Sequence, residues 1–405
     1  MSKLLTDISY KNYQKRSDIH GTVLYPATMI APVQKDLLTD ILAENKIESI
    51  FDPFYGSGTA LYEASELNGK IHLIGCDINP LAYLITKTKL HGVSESIYYD
   101  ISSLELTIKT KEPDNYYFPN MEKWFREDIA DDLRRIRLSI MEIDDVDNRL
   151  YCWCMFTNIV RKYSNTRSST YKLHIKQAEK IKQMCNNAID DFCSMIWKNI
   201  DMYQHSSHNF ELYKCDTLEK IRTFSNNAFD LSITSPPYGD NETTVPYGQF
   251  SSLALQWINS DDLYLDGWEL RNYSIIDSNS MGGRDKHSDM DIFCHTLLSP
   301  FLNNISESKQ QKVINFFNDY FDFLRQLCRV TNQYIILTLG NRTVDNINID
   351  LTNISRLFLE NLGFKNLQTI SREIPVKRIP RVTSSVDNES VSSMNSEYVI
   401  IHKRM

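Results

Sequence analysis

The pattern of apolar and polar positions opens with a helix, a strand, a glycine turn, a second helix and a second strand within residues 1–90. Helical spacing in residues 36–50 leads into an apolar run at 47–51, which predicts a helix and then a buried strand. A glycine turn at 56–59 and the segment ALYEASELN after it predict the next helix. The apolar segment HLIGCDINP, residues 72–80, predicts the second strand. This alternation is typical of a sheet whose strands are connected by helices.

A different pattern occupies residues 91–205, where long helical periodicity runs through segments that contain almost no Gly or Pro. We interpret these residues as a helical insertion. Strand character returns at residues 210–216 and 229–238, and a polar, irregular stretch follows at 239–308. The insertion therefore separates the second strand from the third.

The last part of the chain again alternates helices and strands. Apolar positions on one face predict a helix over 313–330, and a buried strand follows at 333–341. The segment ISRLFLENLGF predicts another helix, and strands near 366–374 and 397–402 complete the pattern. We therefore predict an α/β fold with a doubly wound, mostly parallel seven-stranded sheet of the Rossmann-like type, closed by an antiparallel pair at one edge.

Length and composition agree with this organisation. The chain has 405 residues, enough for about two or three domains, and we expect a catalytic part formed by 1–90 and 206–405, interrupted by the helical insertion 91–205. The irregular stretch 239–308 lies within its second half. No apolar run approaches the roughly 18 residues of a membrane span. Residues 1–18 lack the apolar segment of a signal peptide, so we expect a cytoplasmic protein with no membrane partner.

Cysteine usage and net charge narrow the chemistry. The eight cysteines are scattered with no CxxC pair, so we expect buried thiols and neither a metal site nor a disulfide framework. Lys and Arg number 44 and Asp and Glu number 52, which gives a net charge of −8. A protein that coats nucleic acid unselectively is basic, so any contact with nucleic acid must come from local patches.

The segment FDPFYGSGT, residues 51–59, is the first candidate site. Gly56 and Gly58 allow a backbone to approach a ligand, and ligands bind at the carboxyl ends of strands in such sheets. A dinucleotide fingerprint needs a third glycine where Leu61 stands. Asp77 follows Gly58 by 19 residues, close to the roughly 20 expected for a carboxylate that binds ribose hydroxyls. The combination predicts a nucleoside-type cofactor without a pyrophosphate, and the alternative is an ordinary loop.

Asp216 ends the predicted third strand and has two interpretations. Its carboxylate could accept a hydrogen bond from an adenine amino group. It could equally be the N-cap of a helix that begins at TLEKI, a position that Asp favours. The residue type alone leaves both open.

The most specific feature is the run Thr234, Ser235, Pro236, Pro237 and Tyr238, directly after a predicted strand. Two consecutive prolines fix the backbone and leave carbonyl groups free to accept hydrogen bonds. The Ser235 hydroxyl and the Pro236 carbonyl could hold the hydrogens of an exocyclic amino group and so localise its lone pair, while Tyr238 stacks on the base. The alternative is a rigid turn.

Together these segments resemble the DNA methyltransferases that modify the exocyclic amino group of cytosine N4 or adenine N6. The resemblance implies a Rossmann-like methyltransferase fold and S-adenosylmethionine as cofactor, with no metal. It implies that the cofactor contacts are Asp52, Phe54, Gly56, Gly58, Thr59, Asp77, Asp216 and Thr234. It implies that the catalytic residues are Ser235, Pro236, Pro237 and Tyr238. The segment HGTVLYPATMIAP, residues 20–32, resembles the additional cofactor-pocket segment of that family.

The residue before PPY favours one base over the other. Serine is commoner there in the cytosine-N4 enzymes, so we expect cytosine N4, with adenine N6 as the alternative. No Pro-Cys dipeptide occurs, so the covalent route to cytosine C5 lacks its nucleophile. The remaining alternatives are the same transfer to RNA or to a protein glutamine, and a subunit without catalysis that binds cofactor and docks a partner such as a restriction nuclease.

Double-stranded DNA is the expected partner, with the target base flipped out of the helix because its amino group is paired inside the duplex. Residues 161–182 carry seven basic residues against one acidic residue. From this run we expect DNA contacts by Arg161, Lys162, Arg167 and Lys172, and from a second group by Lys377 and Arg378. The alternative for the run is a solvated helix face. Residues 239–250 follow the proposed catalytic run and are expected to shape the pocket for the base.

Overall fold

The computed structural model describes residues 10, 13–239, 244–270, 272–283, 290–373, 382–386, 389–392 and 396–405. The helices are α1 (Ala31–Glu44), α2 (Thr59–Leu67), α3 (Pro80–His91), α4 (Ile97–Ile108), α5 (Met121–Trp124), α6 (Glu127–Met141), α7 (Val146–Tyr163), α8 (Ala178–Lys182), α9 (Ala188–Asn199), α10 (Thr217–Ile221), α11 (Tyr247–Trp257), α12 (Ile275–Ser278), α13 (Ile292–Leu302), α14 (Glu307–Val330) and α15 (Leu351–Asn361). The strands are β1 (Ser49–Asp52), β2 (His72–Asp77), β3 (Phe210–Lys214), β4 (Phe229–Thr234), β5 (Thr331–Gly340), β6 (Arg342–Val344), β7 (Ile347–Ile349), β8 (Phe364–Glu373), β9 (Val382–Val386), β10 (Glu389–Ser392) and β11 (Ser396–Arg404). No helix in these described ranges is long and apolar enough to cross a membrane.

The main sheet confirms the predicted seven-stranded, mostly parallel architecture. Its strand order is β3-β2-β1-β4-β5-β11-β8. The first five strands in this order pair in parallel. Strand β11 runs antiparallel to both of its neighbours, β5 and β8. The carboxyl ends of β1 to β4 therefore lie along one edge of the sheet, where open sheets of this kind bind their ligands.

Both faces of the sheet are covered, which explains why its strands are almost continuously apolar. Successive side chains of a strand point to opposite faces, so Ile50 joins the core on one face while Phe51 joins the core on the other. Helices α1, α2 and α3 cover the first face. Helices α10, α14 and α15 cover the second.

Helices α4 to α9 form the stretch that the sequence predicts as a helical insertion, between α3 and β3. Its central helix, α7, is buried on most sides and packs against α3 and α11. Its large side chains, among them Trp153 and Phe156, belong to the same apolar cluster as Leu37 of α1 and Leu81 of α3. One core thus continues from the first face of the sheet into the inserted helices.

The stretch 239–308, which we predict to be irregular, contains α11, α12 and α13. Buried ion pairs attach it to distant parts of the chain. The Arg149 guanidinium of α7 donates to Asp262 at 2.7 Å, and the Trp153 indole N–H donates to the same carboxylate at 2.7 Å. The Lys214 ammonium of β3 pairs with Glu269 at 2.5 Å. These contacts join the stretch to α7 and to β3.

Replacing Asp262 by alanine should reduce the free energy of unfolding by about 3 kcal/mol, because it leaves a partly buried guanidinium and an indole N–H without their acceptor. Asp261→Ala is the matched control, since its carboxylate is exposed, and it should change stability by less than about 0.5 kcal/mol. Urea-induced unfolding measures both. Equal effects of the two substitutions would contradict the role given to Asp262.

Candidate active site

A cleft opens at the carboxyl ends of β1, β2, β3 and β4. It encloses about 900 Å³, part of which is open to solvent. Among the residues that line it are seven for which the sequence predicts a role: Phe54, Gly56, Thr59, Asp77, Asp216, Ser235 and Pro237. The fold therefore brings together segments that lie as far apart in the sequence as β1 and the run after β4.

The glycine turn after β1 uses left-handed backbone at both glycines. Gly56 has φ +51° and lines the cleft, and the Thr86 hydroxyl donates to its carbonyl at 3.0 Å. Gly58 has φ +72°, and a Cβ there would lie 2.5 Å from Cγ2 of Thr86. Gly58 is the N-cap of α2 and is not among the residues that line the cleft. It allows α2 to begin against α3, whereas Gly56 leaves the backbone open toward a ligand.

Asp77 ends β2 at the centre of the cleft. The N–H of Gly56 donates to one oxygen of its carboxylate at 2.9 Å, and the N–H of Asn79 donates to the other at 2.9 Å. Burial raises the pKa of Asp77 to about 6, although these two hydrogen bonds act in the opposite direction. Each carboxylate oxygen can accept more than one hydrogen bond, so Asp77 can also accept hydrogen bonds from the hydroxyl groups of a ligand.

Asp52 and Thr234, two of the predicted cofactor contacts, lie behind the residues that line the cleft. Both are fully buried, and neither lines the cleft. The Phe54 N–H donates to Asp52 at 3.1 Å. Burial raises the pKa of Asp52 to about 7. Because Phe54 does line the cleft, the contribution of Asp52 is to fix the backbone of the turn.

Asp216 is the N-cap of α10, which is one of the two interpretations that the sequence leaves open, and its contact with an adenine amino group stays a prediction. Its side chain accepts the Leu218 N–H at 2.7 Å and so caps α10. Asp216 and Leu218 also line the cleft at the end of β3. Since a carboxylate oxygen can accept a second hydrogen bond, the cap does not exclude an adenine amino group.

The run after β4 reaches the cleft through Ser235 and Pro237, whereas Pro236 is buried. The hydroxyls of Ser235 and Tyr238 are 3.0 Å apart and hydrogen-bonded. Burial raises the pKa of Tyr238 well above its usual value, so this hydroxyl stays protonated. The Tyr238 ring packs against the core on the second face of the sheet and does not line the cleft. The stacking of Tyr238 on a base stays a prediction.

Several cleft residues come from segments for which the sequence gives little local signal. Asn79 follows Asp77, and its side-chain N–H₂ donates to the Tyr25 hydroxyl at 3.1 Å and to the Ser251 hydroxyl at 2.8 Å. Asn79 thereby joins the segment 20–32 to α11. The further lining residues are Tyr25, Ala27, Thr28 and Met29 of the predicted segment 20–32, Tyr247 of the predicted stretch 239–250, and Ile276, Asn279, Ser280 and Met281, for which the sequence predicts no role.

The wall formed by residues 276–281 is fixed through Asp277. Its carboxylate accepts the N–H of Gly248 at 2.9 Å and the N–H of Gln249 at 3.2 Å, at the beginning of α11. A carboxylate at a helix N-terminus is favourable because it satisfies free N–H groups and meets the positive end of the helix dipole. Capping across 28 residues or more leaves no pattern in the local sequence.

The basic run after α7 forms a loop that returns on itself at an isolated bridge between Thr166 and Ile175. The structure corrects the assignment of Arg161 to DNA, because its guanidinium points inward. It donates to the Thr170 carbonyl at 2.6 Å and lies 5.1 Å from the centre of the Phe250 ring. Arg161 therefore supports the loop from within.

The other predicted DNA contacts differ in exposure and in whether their charge is already paired. Lys162 is exposed but paired with Asp191. Arg167 and Lys172 are exposed on the loop. Lys377 and Arg378 lie outside the described residues.

This loop lies against α11, the helix that borders the cleft. The Leu173 N–H donates to the Gln249 side chain at 3.4 Å. The rings of Tyr171 and Phe250 are 5.8 Å apart, edge to face. Since Tyr247 of the same helix lines the cleft, the exposed cations of the loop and the predicted catalytic run lie on the same side of the molecule.

The polar groups of the cleft fit an S-adenosylmethionine-sized ligand. Among the described residues, the Thr59 hydroxyl and the Tyr55 hydroxyl are buried without a hydrogen-bond partner, and both residues line the cleft. Unpaired buried hydroxyls are costly in a folded protein unless a ligand uses them. With the Asp77 carboxylate they offer both donors and acceptors to the amino-acid and ribose parts of such a molecule.

Two similarities to known proteins agree with this geometry. The sequence profile of the D12 class N6 adenine-specific DNA methyltransferases matches residues 35–204, under half of the chain. The Type II methyltransferase M.MvaI of Kocuria varians is 29% identical over 443 aligned positions, which cover 100% of this chain and 96% of that protein. With the fold and the cleft, these findings support an S-adenosylmethionine-dependent DNA methyltransferase that modifies an exocyclic amino group.

The affinity for S-adenosylhomocysteine should fall as the pH drops below about 6, because a carboxylate accepts ribose hydroxyls better when ionised and burial places the pKa of Asp77 at about 6. The affinity should be at its maximum above that pH and should fall about tenfold for each pH unit below it. Calorimetric titration from roughly pH 4.5 to roughly pH 8 measures the profile. Asp77→Asn should bind more weakly with a flat profile, and a fall near pH 6 that persists in Asp77→Asn would assign it to another group.

Proposed function

We propose that the protein transfers a methyl group from S-adenosylmethionine to cytosine N4 of a flipped base in double-stranded DNA, at a specific recognition sequence. The observation that carries this proposal is the position of Ser235 and Pro237, which line the same cleft as Asp77 and Gly56. A nucleophile activated at Ser235 and a cofactor held at Asp77 would therefore share one cavity. When bound, the cofactor supplies an electrophilic methyl group on a sulfonium.

The residues of the run activate and orient the amino group. Its lone pair is delocalised into the base, which makes it a poor nucleophile. Acceptance of its two hydrogens by the Ser235 hydroxyl and the Pro236 carbonyl localises that pair toward the methyl group. Without DNA the Ser235 hydroxyl is hydrogen-bonded to the Tyr238 hydroxyl. The amino group of an entering base must therefore replace Tyr238 as a partner of Ser235 or bind Ser235 together with it. A movement of Tyr238 toward the base would both release Ser235 and provide the stacking surface.

The preference for cytosine rests on Ser235. The profile of the adenine-specific class matches residues 35–204 and ends before the run that holds the base. It therefore bears on the first strands and the inserted helices and not on the residue before PPY. Adenine N6 is the second candidate, favoured by that same profile match.

The proposed cofactor contacts are Phe54, Gly56, Thr59, Asp77 and Asp216, with Asp52, Gly58 and Thr234 acting through the backbone behind them. The proposed division of labour gives catalysis to 1–90 and 206–405 and DNA contacts to the insertion 91–205. The relative M.MvaI is described as a Type II methyltransferase. We accordingly propose a role in restriction–modification in the cytoplasm, beside a restriction nuclease of the same site.

Expression in a host without DNA methylation should produce N4-methylcytosine in the host DNA, measured by mass spectrometry of digested nucleosides. Ser235→Ala should lower the product by at least about a hundredfold, because the amino group loses an acceptor in the transition state, while cofactor affinity changes by less than about threefold. Equal loss of turnover and of cofactor binding would contradict the assigned role.

The products separate the candidate functions. N6-methyladenine in place of N4-methylcytosine would move the assignment to adenine. Methylated RNA or protein with unmodified DNA would overturn the DNA substrate. Ser308→Ala is a suitable control for the mass-spectrometric experiment, since Ser308 is exposed near the start of α14 and does not line the cleft.

Arg167→Ala and Lys172→Ala should each reduce the dependence of DNA affinity on salt, by about one unit in the slope of log K against log salt concentration. Both side chains are exposed on the loop beside α11. Lys365→Ala is the matched control, since Lys365 is exposed near the start of β8, at the opposite edge of the sheet from the cleft. Fluorescence anisotropy with a labelled duplex measures the slopes, and a slope that changes only in Lys365→Ala would contradict this surface.

A further inference from the structure

Three buried ionisable side chains meet behind the glycine turn, and the proposed chemistry uses none of them. They are His20 at the start of the segment 20–32, Glu63 on α2 and Lys89 on α3. Each is less than a tenth exposed. Buried charged groups are rare in proteins unless they are paired, so a cluster of three buried ionisable side chains requires an explanation.

The three side chains form a chain of hydrogen bonds that ends on the turn. His20 Nε2 lies 2.9 Å from Glu63 Oε1, and His20 Nδ1 lies 3.4 Å from Lys89 Nζ. Lys89 Nζ also donates to the Ser57 carbonyl at 2.7 Å. With a carboxylate on one side and an ammonium on the other, the consistent tautomer of His20 donates from Nε2 and accepts at Nδ1.

Glu63 and Lys89 are groups of opposite charge that can compensate each other, and the neutral His20 lies between them. Burial raises the pKa of Glu63 and lowers the pKa of Lys89, and burial likewise keeps His20 neutral by lowering its pKa. Lys15 and Asp18 also act on the cluster. Removal of one buried partner leaves the other without compensation, which disturbs the groups that both contact.

Ser57 connects this cluster to the cleft, because its carbonyl accepts the hydrogen bond from Lys89 and the residue itself lines the cleft next to Gly56. The cluster also joins the segments that form this side of the cleft. His20 belongs to the segment that contributes Tyr25 and Met29, and Glu63 belongs to the helix that begins at the turn. A displacement of the Ser57 carbonyl would therefore move the backbone that faces the ligand.

We propose that Lys89, held in place by His20 and Glu63, is a positioning residue for the cofactor turn and sets the affinity for S-adenosylmethionine without touching it. The proposal rests on the proposed function, since it takes the cleft to be the cofactor site. It predicts an effect on cofactor binding that is larger than the effect on the chemical step. A residue that only stabilises the fold would lower both through the loss of folded protein.

Lys89→Met tests the proposal, because methionine keeps the length and apolar character of the stem and removes the ammonium. We expect the dissociation constant for S-adenosylhomocysteine and the KM for S-adenosylmethionine to rise by about tenfold or more, with kcat within about threefold of the wild type. Lys87→Met is the matched control on the same helix. Its ammonium lies 5.8 Å from the ring centres of Tyr83 and Tyr264, away from the turn, and its binding should not change.

Glu63→Gln is the second variant, which keeps the shape of the side chain if Lys89→Met fails to fold. It should also weaken cofactor binding while DNA affinity stays at the wild-type value. Circular dichroism and thermal unfolding establish that each variant is folded. A folded Lys89→Met, or in its absence a folded Glu63→Gln, that binds S-adenosylhomocysteine within about twofold of the wild type overturns the positioning role.

The wild-type protein separates this proposal from the proposed function. If the wild type binds neither S-adenosylhomocysteine nor S-adenosylmethionine, the cleft is not the cofactor site and both proposals fail. If the wild type binds cofactor and Lys89→Met binds it equally, only the positioning role fails. In the remaining case the wild type binds cofactor but methylates no DNA base, and Lys89→Met does not bind cofactor. That result supports the positioning role and overturns the proposed transfer.

Discussion

The hydrogen bond from the Gly56 N–H to the Asp77 carboxylate is the contact on which the rest of the site depends. It joins the turn after β1 to the end of β2, two strands that pair in parallel with Asp52 beside Gly75. A buried carboxylate is stable only when donors replace its lost hydration, and the turn can supply this donor because Gly56 adopts φ +51°. The glycine and the acid therefore require each other, and neither alone defines a cofactor site.

The second donor to Asp77 extends this arrangement toward the DNA side. Asn79 gives its backbone N–H to Asp77 and its side-chain N–H₂ to the Tyr25 and Ser251 hydroxyls. Ser251 belongs to α11, and the Gln249 side chain of the same helix accepts a hydrogen bond from the basic loop. A continuous set of contacts thus runs from the carboxylate proposed to bind ribose to that loop. The cofactor cleft and the proposed DNA surface share one supporting helix.

The parts of the fold that follow local rules could be predicted from the sequence, and those that depend on distant contacts could not. The strands of the main sheet follow from apolar runs between turns, and Asp77 and Ser235 follow from their position at strand ends. Helix α11 and the wall at 276–281 are held by Asp277, and residues 258–270 by Asp262 and Glu269, across long stretches of chain. An acidic residue in a polar stretch looks the same in sequence whether it is solvated or buried against a cation.

The sequence likewise does not distinguish an exposed basic residue from a buried one. Arg161 and Lys89 both count as positive charges in the sequence, yet each turns inward and donates to a backbone carbonyl, of Thr170 and of Ser57. Such a contact is strong because burial removes competing water, and it fixes a loop rather than a ligand. The positive surface offered to DNA is therefore smaller than the count of basic residues indicates. The geometry of the loops proposed to contact DNA and cofactor is correspondingly better defined than their polar composition would suggest.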